Sequence, residues 1–539
     1  MKVVVSSLFS VVSSLLSKTL CLLRIIGVNQ DFQVRTANGQ RYAKNVKKRP
    51  TFCFPKHMLP GLEKLASELE QLNLAMDDAE RQFASYLESV HPSQRSNARN
   101  LLHYLVLRSR DIRELQNALH AYGLSSLTNS ESHIKGQIAE ILCRLGKEPG
   151  NNGHVVTYEE SKRSLKEKST ALFGNRVDES IPNIMITFHS HFAEDYGKVK
   201  SLLQSGMTVA RINCAHDDES TWFRMIQHLK RATYITGIPC KIYMDLAGPK
   251  IRTSIKRKKK FRIREGQTIH LADEDFHDGK INDIVGCTVP GIAAQLRPGE
   301  TVLFDDGLIE AKVQSVDEGV ASLQVVRVSS KKSVLRDEKG INFPDSHLKI
   351  SALTSYDRQC LPFILTNADM MGYSFVRDPS DLDQLQIELG EDNKIPLILK
   401  IETSEAVDNL PYLLFRGMKE ADMGVMIARG DLAVEIGFER LSEVQEEILW
   451  ICEAAHVPVI WATQVLENMN KSGLASRSEI TDAAHAALAD CVMINKGTHI
   501  IRVLESLRDI LFRSAGHHIK KRYTFRALEI ARRFIGRET

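Results

Sequence analysis

Ile395-Pro-Leu-Ile-Leu-Lys-Ile-Glu402 and, one helical pattern later, Met423-Gly-Val-Met-Ile-Ala-Arg-Gly-Asp-Leu432 decide the fold. In each, a short apolar run ends on charge: Lys400 and Glu402 after the first, Arg429 and Asp431 after the second. Continuous apolar runs of this length read as strands buried on both faces, the habit of parallel sheets covered by helices. Strands joined through a helix run parallel, so their carboxyl ends share one side of the sheet. A lysine, an arginine and two carboxylates then meet, a set suited to a hard divalent cation with phosphate on it.

The same pattern repeats in both directions. Further apolar runs lie at Ile184–Phe188, Val209–Ile212, Lys241–Met244, Met370–Val376, Val457–Trp461 and Cys491–Ile494. Eight such units, most spaced by one helix length, predict an α/β chain folded as a (β/α)8 barrel over 183–252 and 341–515. The third and fourth runs are about 125 residues apart, and 253–340 has short alternating runs broken by Gly, Asp and Pro. That texture predicts a small all-β domain inserted in the barrel, placed as a lid over its mouth.

Composition bounds the rest. At 539 residues, with 43% hydrophobic and 26% charged residues and a net charge of +4, the chain reads as a multi-domain globular protein with no global pull toward nucleic acid. Nine scattered cysteines without a Cys-x-x-Cys pair read mainly as small core residues, Cys491 among them. Residues 1–56 are basic, Ser-rich and nearly acid-free, the character of a targeting segment. If it is a transit peptide, the destination is plastid or mitochondrion; otherwise the cytoplasm is expected, with no stable membrane insertion. Residues 57–147 predict a helical region from leucines at helical spacing, in which His103, His120 and His133 are helix residues, not metal ligands. Residues 148–182 read as a linker, and 516–539 as a basic helix or tail with a solvated face.

Polar groups end six consecutive strands: Arg211 and Asn213, Asp245, Ser374 and Arg377, Lys400 and Glu402, Arg429 and Asp431, Thr463 and Gln464. In one barrel mouth they must share a cavity. Glu402 and Asp431 are then candidate Mg2+ ligands, Lys400 a point charge for a phosphoryl oxygen, and Arg211 a bidentate phosphate clamp.

Asp305-Asp-Gly-Leu308, Gly340-Ile-Asn-Phe-Pro344, Lys400-Ile-Glu402, Ala428-Arg-Gly-Asp-Leu432, Ala462-Thr-Gln-Val-Leu-Glu467, Gly206–Asn213 and Asp245-Leu-Ala-Gly-Pro-Lys-Ile-Arg252 together resemble pyruvate kinase over about 183–500. The resemblance implies phosphoryl transfer from phosphoenolpyruvate to ADP, giving pyruvate and ATP, with Mg2+ or Mn2+. It implies Lys400, Thr463 and Arg211 as catalytic residues and Glu402 and Asp431 as metal ligands. Ala428, Arg429, Gly430 and Ser374 become substrate contacts.

The departures are specific. The family's first-strand Thr-Ile-Gly-Pro is here Thr187-Phe-His-Ser190, and its monovalent-cation ligands correspond to Asn213, Ala215, Asp245 and Leu246. Lys250 stands where the family has an acid, so K+ is expected to be dispensable. Ser-Gly-Glu-Thr becomes Asn495-Lys-Gly-Thr498, and the family's C-terminal regulatory domain is expected to be absent. Asn97–Leu105 with Gly123–Leu127 is similar to a divergent pyruvate kinase-like subgroup with an N-terminal helical region. Two other readings stay open, a catalytically impaired binding or regulatory protein and an aldolase-type barrel on a Mg2+-enolate site, and so does a homo-oligomer.

Overall fold

The computed structural model describes residues 60–147, 155–255, 261–276, 283–329, 334–390, 393–420, 422–514 and 529–537. The targeting segment and residues 148–154 lie outside them. Eight parallel strands close into a barrel: Asn183–Thr187, Val209–Asn213, Lys241–Asp245, Met370–Tyr373, Leu397–Ile401, Met423–Ala428, Val459–Ala462 and Cys491–Ile494. Each pairs with its neighbours in chain order, and Asn183 opposite Cys491 closes the ring. Nearly every strand residue is buried, because helices cover the outside and side chains fill the inside. Met185, Val209, Tyr243, Met370, Ile398, Met426, Ile460 and Met493 form that inner core. Flexible methionines suit an interior whose layers vary in width.

Residues 148–182 are not simply a linker. Tyr158–Phe173 is a helix, opened by a capping box in which Thr157 and Glu160 satisfy each other's backbone N–H groups. Its exposed face is dense in Lys and Glu, which hides its short apolar end, Leu172-Phe173, from a periodicity reading. Those two side chains join the inner core of the barrel, and Leu172 packs against Gly424.

Between the third and fourth barrel strands the chain builds a seven-stranded mixed sheet, running from Thr253–Ser254 to Ile341–Asn342. It has its own hydrophobic core, including Phe261, Leu271, Phe304, Val313 and Leu323, separate from that of the barrel. Asp305, Asp306 and Gly307 take φ of +52°, +58° and +78° to reverse the chain between two of its strands. Asp and Gly tolerate this left-handed conformation best, which gives the Asp-Asp-Gly string a structural reason.

The N-terminal region forms the helices Pro60–Gln82, Ala84–Ser89, Arg95–Arg108, Arg113–Ala121 and Ile134–Arg144. It is tied to the barrel by polar contacts as well as apolar ones. Asn100 donates to the Ala454 carbonyl at 2.8 Å, and Asn97 Oδ1 lies 2.7 Å from His456 Nδ1. The terminal helix Glu529–Arg537 leaves Arg532 and Arg533 exposed but has a second, packed face: Ile530, Ala531 and Phe534 are buried, and Phe534 stacks on Phe83 and Phe415. Among the described residues, no helix is long and apolar enough to cross a membrane.

His103 is buried, as a partner of Glu80 at 2.7 Å, and Lys135 reaches Glu80 at 3.3 Å. Burial pushes the Glu80 carboxyl up, but His103 and Lys135 outweigh it and hold it at about 2, below the usual 4.5. A depressed carboxylate stabilises the fold above its unfolded pKa and loses that contribution as pH falls through the folded one. Glu80→Gln is therefore expected to lower the urea midpoint at pH 7. That difference from wild type should shrink as the pH falls from about 4.5 toward 2.

Candidate active site

Alternation along a strand turns every second side chain inward, so residues at the strand ends project over the barrel axis. Asp245, wholly buried, is the centre of the resulting network. Its Oδ2 accepts from Arg211 Nε at 3.1 Å and Nη2 at 2.5 Å, and lies 3.3 Å from Lys400 Nζ. Its Oδ1 accepts from the Tyr243 hydroxyl at 2.8 Å. Arg211 also donates to Thr187 Oγ1 at 3.0 Å. Burial raises the cost of ionising Asp245, yet Lys400 and Arg211 overcome it and keep the carboxyl below its ordinary range.

Lys400 Nζ donates to Ser374 Oγ at 2.6 Å and sits 3.1 Å from Glu402 Oε1. The Ser374 hydroxyl in turn donates to the Leu246 carbonyl at 2.6 Å. Burial opposes the lysine's charge, while Asp245 and Glu402 favour it and bring its pKa above the usual value. Glu402 Oε2 accepts the Phe375 N–H at 2.7 Å. Its carboxyl is pushed up by burial, pulled down by Lys400, and pushed up again by Asp431 and Asp245. Asp431, in turn, is held by Lys250 Nζ at 2.7 Å. Glu402 and Asp431 thus feel each other as like charges. Lys250 engages one oxygen of Asp431, while Glu402 meets Lys400 through Oε1 and the Phe375 N–H through Oε2. Among the described residues no cluster of three or more metal-binding side chains assembles.

Ala428 ends the sixth strand and Gly430 follows in the next helical turn, whose N–H donates to Thr463 Oγ1 at 2.8 Å. Arg429 is turned away from the axis. Its Nε donates to the Ala462 carbonyl at 3.0 Å, it pairs with Asp482, and its guanidinium lies 4.6 Å from the Trp461 ring centroid. Thr463 has φ +63°, with Gln464 and Leu466 also left-handed. For a β-branched residue this is a strained conformation, of the kind that gathers at working sites. Asn213 Oδ1 accepts the Ala215 N–H at 3.0 Å.

Several members were not singled out from sequence. Tyr243 is two residues before Asp245 on one strand, hence on the same face, which is the signal that could have found it. Gly372 sits inside a strand, where glycine marks a close approach: a Cβ there would lie 1.9 Å from the Tyr243 hydroxyl and 2.2 Å from Asp245 Oδ1. Glu435 ties the inserted domain to the barrel by accepting from Asn342 Nδ2 at 2.7 Å. Burial and Asp431 push its carboxyl up to about 7, although Asn342 opposes them. It borders a cavity of about 190 Å3 that also touches Lys250, Phe375, Arg377, Glu405 and Asp431. That cavity lies under the inserted domain on the flank of the fourth to sixth strands, and Lys400 does not line it.

The family model for the pyruvate kinase barrel domain matches residues 183–499. Pyruvate kinase from Thermotoga maritima is 32% identical over 342 residues, covering 62% of this chain and 71% of the relative. The cytosolic isozyme from Glycine max is 34% identical over 302 residues, 55% of this chain and 58% of the relative. Among solved structures, a pyruvate kinase from Cryptosporidium parvum superposes with a TM-score of 0.57 at 25% identity, covering 65% of this chain and 73% of that one. The match runs through all eight barrel strands and the inserted domain between them, and this chain belongs to the pyruvate kinase family.

Proposed function

We propose that this chain is a phosphotransferase acting between phosphoenolpyruvate and ADP to give pyruvate and ATP, with Mg2+ or Mn2+ and without K+. The observation that carries the reading is the buried set Arg211, Asp245, Ser374, Lys400 and Glu402, fully cross-paired at the mouth of the barrel. Phosphoryl transfer asks a protein for fixed positive charge and positioning more than for covalent chemistry. Lys400 presents its ammonium to the migrating group, held in place by Ser374. Arg211, oriented by Asp245 and Thr187, brings a second fixed positive charge to the same mouth. The Ala428–Gly430 loop offers backbone groups to the substrate carboxylate, because the Arg429 side chain is committed elsewhere. Thr463, whose oxygen already accepts from Gly430, keeps its own proton to donate.

The adjacent carboxylates fit a hard cation: Glu402 and Asp431 bring oxygen donors, and Asp431 pushes the Glu402 carboxyl up, which nearby positive charge offsets. A divalent cation there would supply charge to offset that developing on the transferring phosphoryl group. Mixing phosphoenolpyruvate and ADP with Mg2+ in a coupled assay is expected to yield pyruvate; no turnover above a Lys400→Met control, with several divalent ions, would leave the binding-protein reading ahead.

The oxygens that correspond to a monovalent-cation site are already engaged. Asp245 serves Arg211, Lys400 and Tyr243; Asn213 accepts from Ala215; the Leu246 carbonyl accepts from Ser374. Lys250 provides a fixed charge at Asp431 instead. Turnover is therefore expected to be the same in potassium and in tetramethylammonium salts at equal ionic strength. A strong K+ requirement would overturn this part of the proposal, and Lys250→Gln is expected to lower turnover in both salts.

A further inference from the structure

From the cavity of about 190 Å3 under the inserted sheet, we infer that this chain holds a binding site for a small α-amino acid with an apolar side chain. Two charged side chains that the strand-end network leaves aside border it. Arg377 follows the fourth strand; its Nη2 donates to the Ile350 carbonyl, and among the described residues its guanidinium makes no other hydrogen bond. Glu405 sits on the short helix Ser404–Asp408, after the fifth strand. It is half-buried, and among the described residues its carboxylate has neither a hydrogen bond nor an ion pair.

The other carboxylates on the lining are engaged. Asp431 pairs with Lys250, Glu435 accepts from Asn342, Asp408 pairs with Arg533, and Asp345 accepts from Thr301. His347 is open to solvent. Arg377 and Glu405 therefore stand apart, as a cation and an anion that border one cavity without forming an ion pair with each other. A carboxylate drawn partly out of water without a direct partner costs free energy, and an ammonium group brought to Glu405 removes that cost. Burial does push the Glu405 carboxyl up, although Arg377 and His347 oppose it. The planar fork of Arg377, with most of its N–H groups uncommitted, suits a carboxylate.

One ligand class answers both groups. A simple anion would satisfy Arg377 but set a like charge near Glu405, and a simple amine would do the reverse. A zwitterion satisfies the two together and adds no net charge beside the Lys250–Asp431 pair. The rest of the wall sets the side chain: Ile341, Phe343, Leu348 and Phe375 are apolar. Small-molecule sites are typically such apolar hollows with a few convergent polar groups. An apolar cavity of about 150 Å3 takes up benzene in another protein, so the volume here suits a side chain of the size of leucine. The site goes beyond the phosphotransfer reading and does not depend on it.

The test titrates the full-length protein in a calorimeter with L-leucine, 4-methylpentanoate and 3-methylbutylamine. The second and third keep the leucine side chain and only one of its two charged groups. Leucine is expected to bind at least about tenfold more tightly than either. In Glu405→Gln, leucine affinity should fall to that of 4-methylpentanoate for the wild type, and in Arg377→Met to that of 3-methylbutylamine. Glu405 has no direct partner to lose, so Glu405→Gln should melt with the wild type when no ligand is present, which separates a lost contact from a lost fold. Absence of leucine binding to the wild type overturns the inference. So does 4-methylpentanoate binding as tightly as leucine, which would mark a plain anion site. Wild-type affinity for leucine in Glu405→Gln overturns it too, by placing leucine elsewhere.

Discussion

Lys400→Met is expected to lower the coupled phosphoenolpyruvate–ADP turnover by about a thousandfold, with a much smaller change in KM. Methionine keeps the length of the stem and removes only the charge. Asp245 retains Arg211 and Tyr243, and Glu402 retains the Phe375 N–H, so the network loses its cation without collapsing. Removing one partner from a buried charged set still destabilises, by about 3 kcal/mol. Melting curves run beside the assay separate that loss from the catalytic one. A folded Lys400→Met protein with wild-type turnover would remove Lys400 from the mechanism.

Gly372→Ala is expected to be the most damaging single-methyl change in the barrel. The new Cβ would meet the Tyr243 hydroxyl at 1.9 Å and Asp245 Oδ1 at 2.2 Å, and both side chains are fully buried. Neither can swing aside into solvent, so the strand must move or the Tyr243–Asp245 bond must break. The expected loss is about 3 kcal/mol, at the upper end for overpacking, read as a lower urea midpoint. Turnover should fall as well, because Asp245 orients Arg211. Tyr243→Phe in the same background, which removes the clashing oxygen, should restore part of the stability. An unaltered midpoint in Gly372→Ala would mean that the fourth strand has more room than its contacts indicate.

The barrel was legible because parallel strands, buried on both faces, leave continuous apolar runs, and all eight runs correspond to strands. The inserted sheet was legible from its alternation and turn residues. The helix Tyr158–Phe173 was not, since a charged surface helix with a two-residue apolar end carries almost no periodic signal. The packing of the C-terminal helix escaped for the converse reason: its arginines conceal that Phe534 is enclosed by Phe83, Tyr412 and Phe415, which are remote in sequence. At the site, strand-end position marked Arg211, Asp245, Lys400, Glu402 and Asp431. Pairing was another matter. That Lys250 reaches Asp431, 181 residues away, and that Arg429 turns back onto Asp482 are set by tertiary geometry.

Leu172 and Phe173 have a consequence for anyone dissecting this protein. They close the amino-terminal end of the barrel and pack in one cluster with Tyr243, whose other end holds Asp245. The floor of the strand-end network is thus braced from beneath by a segment that precedes the first strand and falls outside the family boundary at residue 183. A fragment cut at that boundary would be a cylinder without its cork, and water entering from below would loosen the tyrosine that steadies the site. Any fragment meant to keep that network intact therefore has to begin no later than Thr157, the cap of the helix that carries the stopper.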